Sequence, residues 1–341
     1  MKKRLILLAL AVLMILSATA CGKGEPASND NSEDIYAVET EEEFDPFYSM
    51  MKEKENVRPI ALMIDNDNDS ARPQIGLENA YLVYEIVVEG KATRFMALFK
   101  DYNIEKVGPV RSSRHYFLDY ALENDAIYSH AGWSPKAAKD ISALKVNNIN
   151  GVTSDGDCFW RDKTYDKTWH NLYTSTVKLS NKAKDVKKYR METENNGVIE
   201  YNTMDTEVKG ETATELTIDY ANFYKVTYKY DEAQKRYIRY VNGKEHTSQT
   251  GDALSTKNII MYQIKNFNLP DTENKGRQDL ENIGKGTGYY FSNGTAVKIN
   301  WEKKERTEKT VYTLEDGTPL KVNPGNTFIQ IVPMYTTPEF N

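Results

Sequence analysis

Residues 58–66 read RPIALMIDN, and residues 71–90 continue as ARPQIGLENAYLVYEIVVEG. After them come TRFMALF over 93–99, GPVRSSRHYF over 108–117 and HAGWSP over 130–135. Apolar runs here end repeatedly in short polar groups: Asp65 and Asn66, Glu85, Arg94, Arg111, Arg114 with His115, and His130. A continuous apolar run closed by a polar pair is the pattern of a strand buried on both faces that presents its last residues at a sheet edge. Pro59–Ile64, Tyr81–Val88 and Thr93–Phe99 are therefore expected strands, with Glu89-Gly90-Lys91 turning between the last two. Ser112 or Ser113 is expected to cap a helix running to about Asn124, and Ser134-Pro135 to open another through Ala138, Ile141 and Leu144. A helix rich in exposed lysine is expected over 174–188.

Strands and helices mixed in this way predict an α/β layer over 58–195. Beyond a polar linker holding Asn195-Asn196-Gly197, the period changes to short alternating runs. Asn242-Gly243, Asn293-Gly294 and Asp316-Gly317 mark tight turns among them. Residues 203–341 are expected to form a mainly antiparallel β domain, so the fold class is α+β.

Upstream, Lys2, Lys3 and Arg4 precede an apolar run from Leu5 to Leu16, and small residues lead into Cys21. That run is shorter than the roughly 20 apolar residues a bilayer span needs. Residues 1–21 read as a lipoprotein signal ending at a lipidated Cys21, which places the chain at the extracytoplasmic face of a cell membrane. Residues 22–57 carry strong acidic bias and few branched or aromatic residues, and are expected to be a solvated tether. The whole chain has a formal charge of −6: that segment carries −8, the signal +3, and residues 58–341 are nearly neutral at −1. Bulk charge therefore does not call for nucleic acid as a partner. With two cysteines and Cys21 lipidated, Cys158 stands alone and no intramolecular disulfide can form. It lies near His170 in sequence but in no cysteine-enzyme signature, and a small packed side chain is the plainer reading.

Arg94, Arg111 and Arg114 are the leading candidate ligand-binding residues, joined by His115 and His130. Guanidinium forks hold carboxylates, phosphates and sugar hydroxyls, and an arginine-flanked helix start would add dipole. The alternative is an internal ion-pair network with Glu85, Glu89, Asp119 and Asp125. His130 with Asp65 or Asp119 is the one constellation suited to acid-base chemistry, but no nucleophile elbow or zinc helix accompanies it. Asp65, Asp67 and Asp69 alternate as in a calcium loop, yet Ser70 and Gly76 occupy the places where an EF-hand needs glycine and glutamate. A looser cation site and a solvated turn both remain open there. Gly284-Lys285-Gly286-Thr287-Gly288 lacks the spacer and following helix of a phosphate loop and is expected to be a mobile loop. The tyrosines and Trp301 of the second half are a candidate stacking surface for sugars. No cofactor motif and no metal-ligand set stands out.

These motifs, together with GTGYYFSNGTAVKINW over 286–301 and LKVNPGNTFIQIVP over 320–333, resemble the YerB-like bacterial lipoprotein family, a domain of unknown function with N- and C-terminal parts. His115 and Trp133 stand where that pattern is expected to have proline and glycine. The resemblance implies a lipid-anchored, surface-exposed, two-part protein without an established activity. Three expectations follow. The first is a non-catalytic binding or scaffolding lipoprotein with an arginine-lined anion or glycan site for an envelope polymer. The second is an envelope hydrolase using His130, and the third a structural partner for another membrane-bound protein.

Overall fold

The computed structural model describes residues 43–270 and 273–341. Cys21 and the expected signal lie outside the described residues. Residues 43–341 pack as one compact unit. The first helix, α1 (Pro46–Glu53), falls inside the stretch expected as a tether, which corrects that boundary. Asp45 caps it by accepting from the amides of Phe47 and Tyr48, and Pro46 supplies the helix-compatible φ at its first turn. Phe47 and Met51 pack from it onto the core, which is why so acidic a segment folds at its end.

The centre is a large mixed sheet. Strands β1 (Ile60–Asn66), β2 (Leu82–Val87), β3 (Thr93–Phe99), β4 (Ile127–His130) and β5 (Asn148–Asn150) come from the first half. Across it they run in the order β2-β3-β1-β4-β5. On the other side of β2 the strand Thr327–Pro333 pairs parallel in register Leu82↔Thr327 to Ile86↔Ile331, and Asn258–Ile264 pairs parallel beyond it. The two halves thus share one sheet, which the switch in period at residue 200 did not foretell. The antiparallel hairpins Gly284–Ser292, Thr295–Lys303 and Val311–Leu314 complete it.

Period-2 alternation sorts this sheet into two faces. Ala61, Met63, Leu82, Tyr84 and Ile329 meet helix α2 (His115–Glu123) through Tyr116, Phe117 and Tyr120. Ile60, Leu62, Val83, Phe95 and Phe328 face a second, antiparallel sheet built mainly on Glu215–Ala221, Tyr224–Asp231 and Arg236–Val241. With both faces covered, β1 and β3 are buried at every position, whereas the outer sheet alternates between buried and exposed residues. Each fully buried large apolar side chain contributes about 1.5–3 kcal/mol. Asn242-Gly243 and Asn293-Gly294 adopt positive φ at both residues and close two of the hairpins.

Three expectations change. Helix α2 starts at His115 with Arg114 as its cap residue and no side-chain capping bond. Ser112 instead donates to the carbonyl of Ala131, and Ser113 accepts from Tyr128, so the expected anion pocket at a capped helix start is not built. The Gly284–Gly288 run is strand, not mobile loop. A Cβ on Gly288 would lie 2.4 Å from the Met261 carbonyl oxygen, so glycine there serves close strand packing. The lysine-rich helix is α-helical over Thr176–Asn181 and continues as a π-helix over Lys182–Val186, close to its expected bounds, but Lys182 is buried against Asp157 rather than exposed.

Candidate functional site

Strands β1, β2, β4, β5, Thr327–Pro333 and Asn258–Ile264 run in the same direction, so their carboxyl ends share one edge of the sheet. Ligands of open sheets with parallel strands gather outside such an edge, where loops rather than paired backbone decide the chemistry. Asp65 and Asn66 end β1 there, opposite Thr93 and Arg94 at the start of β3. His130 ends β4.

Asp65 is fully buried; its Oδ1 accepts from the Asp67 amide at 3.1 Å, and its Oδ2 faces two side chains. His170 Nδ1 lies 2.7 Å from its Oδ2, and Arg111 Nε lies 3.0 Å from the same oxygen. The Arg111 contact is close but poorly aligned, so it acts as an ion pair more than as a hydrogen bond. Arg111 Nη2 also reaches Asp67 Oδ2 at 3.1 Å. Burial pushes the Asp65 carboxyl upward. The His170 hydrogen bond and the charges of Arg111 and Arg94 outweigh that and hold it below the usual carboxylate range.

Arg94 is buried beside this group, donating from Nη1 to the Ser112 carbonyl at 2.7 Å, with its Nε unpartnered. Burial, and then the neighbouring charge of Arg114, lower its pKa to about 10, so it stays charged at neutral pH. Arg114 forms a two-pronged pair with Glu89, 2.5 Å from Nε and 2.8 Å from Nη2. The three arginines are therefore neighbours, as expected, but Asp65, Asp67 and Glu89 balance them.

Glu85, Asp119 and Asp125, also offered as their partners, face elsewhere. Glu85 pairs with Arg239 from the outer sheet at 2.9 Å, Asp119 with Arg306 at 2.7 Å and Asp125 with Arg190 at 2.8 Å. His115 turns to Asp279, 2.6 Å away, which Lys136 also holds. His130 is buried, with Nδ1 2.8 Å from the Gly132 carbonyl and Nε2 3.3 Å from Asn148. Burial lowers its pKa to about 4, so it is a neutral, hydrogen-bonded ring. His130, Asp65 and Asp119 are thus not brought together, and the hydrolase constellation has no geometry here.

Asp65, Asp67 and Asp69 do not converge on a cation either, because Asp69 pairs with Arg72 at 2.9 Å. Among the described residues no group of three or more histidine, cysteine or acidic side chains is arranged to hold a metal ion. Cys158 is buried, and burial raises its pKa to about 11, which removes thiolate reactivity at neutral pH.

Sequence reading named His170 only as a neighbour of Cys158 and missed its bond to Asp65, 105 positions away, and it misplaced the aromatic surface. Trp301 and most of the second-half tyrosines are buried. The exposed indoles are Trp169, 69% exposed and adjacent to His170, and Trp133, 41% exposed. Backbone hydrogen bonds tie the chain on either side of Trp133 to Ser113, two residues from Arg111. Their signal was present in the chain, since Trp169 precedes a histidine in a polar loop and Trp133 sits in HAGWSP.

Two family models match the chain, described as the N-terminal and C-terminal domains of a protein of unknown function, DUF3048, over residues 48–190 and 216–329. A Bacillus subtilis (strain 168) protein described as "Putative lipoprotein YerB" is 33% identical over 280 residues, 81% of each chain. The chain belongs to the DUF3048 family. The crystal structure of the Bacillus subtilis YerB protein superposes with a TM-score of 0.73 at 32% identity, covering 84% of this chain and 96% of that one. Family membership covers both halves of the shared sheet. Among the described residues no helix is long and apolar enough to cross a membrane.

Proposed function

We propose that this DUF3048 protein is a non-catalytic binding lipoprotein, lipidated at Cys21 and held at the extracytoplasmic face of the cell membrane. Its ligand is a glycan of the cell envelope, and its site is the carboxyl edge around Asp65, Arg111 and His170. One observation carries this reading: Arg94, Arg111 and Arg114, balanced by Asp65, Asp67 and Glu89, meet at the sheet edge, with the exposed Trp169 next in the chain to His170 and the Trp133 ring against His130.

Balance matters to the choice of ligand. Three arginines facing three carboxylates leave little net field for an anion. Paired aspartate and arginine groups suit the donors and acceptors of sugar hydroxyls, and an exposed indole offers a flat apolar face for a pyranose ring. Among the described residues the candidate acid-base groups do not converge and the Cys158 thiol is not activated, which favours binding without catalysis. The lipoprotein description of the Bacillus subtilis relative supports the anchor.

The test is retention of the protein on purified envelope and on isolated glycan strands. Retention should fall when Arg111 is changed to alanine and when Trp133 and Trp169 are changed together, with folding unchanged by circular dichroism. Equal retention of all variants would overturn the assignment of the site.

A further inference from the structure

A second concavity lies away from the carboxyl edge, and none of Asp65, Arg111, His170, Trp133 or Trp169 lines it. It is a cleft of about 620 Å³ between α1, the 196–203 segment, and the 309–312 and 319–321 backbone. That volume lies within the roughly 300–1,000 Å³ of small-molecule sites. Its walls have two chemical parts.

The inner part is apolar and aromatic, with Met51, Ile199 and Leu320 beside the rings of Tyr48, Tyr201 and Tyr312. The hydroxyl of Tyr201 is buried and lacks a hydrogen-bond partner. Buried donors without partners are rare enough to need an explanation, and a ligand or water at the cleft is one.

The rim carries four lysines, of which two are neutralised: Lys52 by Glu55, and Lys321 by Glu200 at 2.9 Å. The other two have no carboxylate in ion-pair contact among the described residues. Lys100 Nζ donates to the carbonyls of Lys54 at 2.9 Å and Glu55 at 3.0 Å, neutral groups. Lys309 lines the same cleft. Partial burial lowers the pKa of both, Lys100 against the opposing pull of Glu55. An ammonium group with no carboxylate in ion-pair contact is available to hold an anionic head.

We propose that this cleft binds an amphiphilic anion, a phosphate or carboxylate head on an apolar chain. The head lies between Lys100 and Lys309, and the chain lies over the Tyr201 and Tyr312 rings. An apolar floor alone would take a neutral hydrophobe, and the lysines alone would take inorganic phosphate. Their combination selects a molecule carrying both parts. This inference is independent of the glycan reading, because the two sites share no residue.

The probe is dodecyl phosphate below its micellar concentration, titrated calorimetrically into the full chain carrying Cys21→Ser, so that no attached acyl group competes. One saturable site is expected. Inorganic phosphate, the head without the chain, and dodecyl maltoside, the chain without the charge, should each bind at least about tenfold more weakly. Lys309→Gln should weaken dodecyl phosphate by about tenfold, and Val311→Glu, which sets a like charge on the exposed lip, by more. Lys309 and Val311 are both exposed, so neither variant threatens folding. Equal binding of inorganic phosphate would reduce the site to a lysine patch, and equal binding of the maltoside would make it a greasy groove. No heat with the unsubstituted chain, or affinity unaffected by both substitutions, would likewise overturn the proposal.

Discussion

Two arginine–carboxylate clusters in this molecule have nearly the same composition and opposite surroundings. Between the sheets, Arg239 and Glu85 are both fully buried, 2.9 Å apart. Thr93, Asn66 and Gln330 also donate to Glu85, at 2.8, 3.2 and 3.0 Å, and Tyr224 adds a further bond. His246, kept neutral by burial and by the charges of Arg239 and Arg72, accepts from Arg239 and leaves its other nitrogen 2.6 Å from Gln74. Nearly every lone pair in that group has a protein partner, which leaves no room for a ligand. At the carboxyl edge, the Arg111 side chain is 25% exposed and that of Asp67 29%. Arg94 nearby keeps an unpartnered Nε. The same chemistry therefore welds the two halves together in one place and stays available in the other, and burial decides between the two roles.

The contrast predicts the largest effect for the sealed cluster. Glu85→Ala should cost about 3–5 kcal/mol, because it leaves the Arg239 charge buried and unpaired. Chemical denaturation should show the loss with no change in ligand retention by the folded fraction. A cost under about 1 kcal/mol would mean that water reaches between the sheets and would dissolve the distinction.

His130 should come next. Its folded pKa is lowered to about 4 from an unfolded value of about 6.5, so the folded protein disfavours the proton. The contribution to stability is full above about pH 6.5 and is lost as the pH falls toward 4, on the order of 3 kcal/mol in all. His130→Gln should flatten stability across that window. An unchanged slope would show that another group titrates there.

Asp65→Asn should cost less, about 1–3 kcal/mol, by weakening its contacts with His170 and with Arg111, whose side chain is partly open to water. Its folded pKa is depressed, so its contribution is present above the ordinary carboxylate range and disappears as the pH falls through the lowered value. The variant should therefore lose less stability in acid than the parent, measured by urea midpoints at descending pH. It should also lose glycan retention, which Glu85→Ala should not.

The buried strands were legible in the sequence because their signal is local. RPIALMIDN and TRFMALF announce their burial by unbroken apolar residues, and both are buried at every strand position. Asn242-Gly243 and Asn293-Gly294 needed only a preference for positive φ. What escaped depends on distance along the chain. Glu85 was a natural partner for Arg94, Arg111 or Arg114, yet its partner Arg239 is 154 positions away, brought in by the second sheet. The joining of the halves through β2 and Thr327–Pro333 escaped for the same reason, since parallel pairing leaves no turn signature between its strands. At the site, the arginines and Asp65 were visible as polar ends of apolar runs. His170 and Trp169 stood only as an isolated pair in a polar loop, with no periodicity to place them beside Asp65.

The smallest stability change and the clearest functional one should come from Trp169→Ala. Its ring is the most exposed large apolar side chain of the described residues, 69%, so deleting it should move stability by no more than about 0.5 kcal/mol. The adjacent His170 is buried and its hydrogen bond to Asp65 is made by Nδ1, so the cluster should survive the substitution. If the indole is a stacking face for a sugar ring, affinity for glycan strands should fall by about tenfold with an unchanged midpoint of unfolding. Trp169→Phe, which keeps a smaller ring, should recover part of that loss. A stable Trp169→Ala variant with parental affinity would separate the tryptophan from the cluster and leave the carboxyl edge as a second structural network, equivalent in role to the one between the sheets.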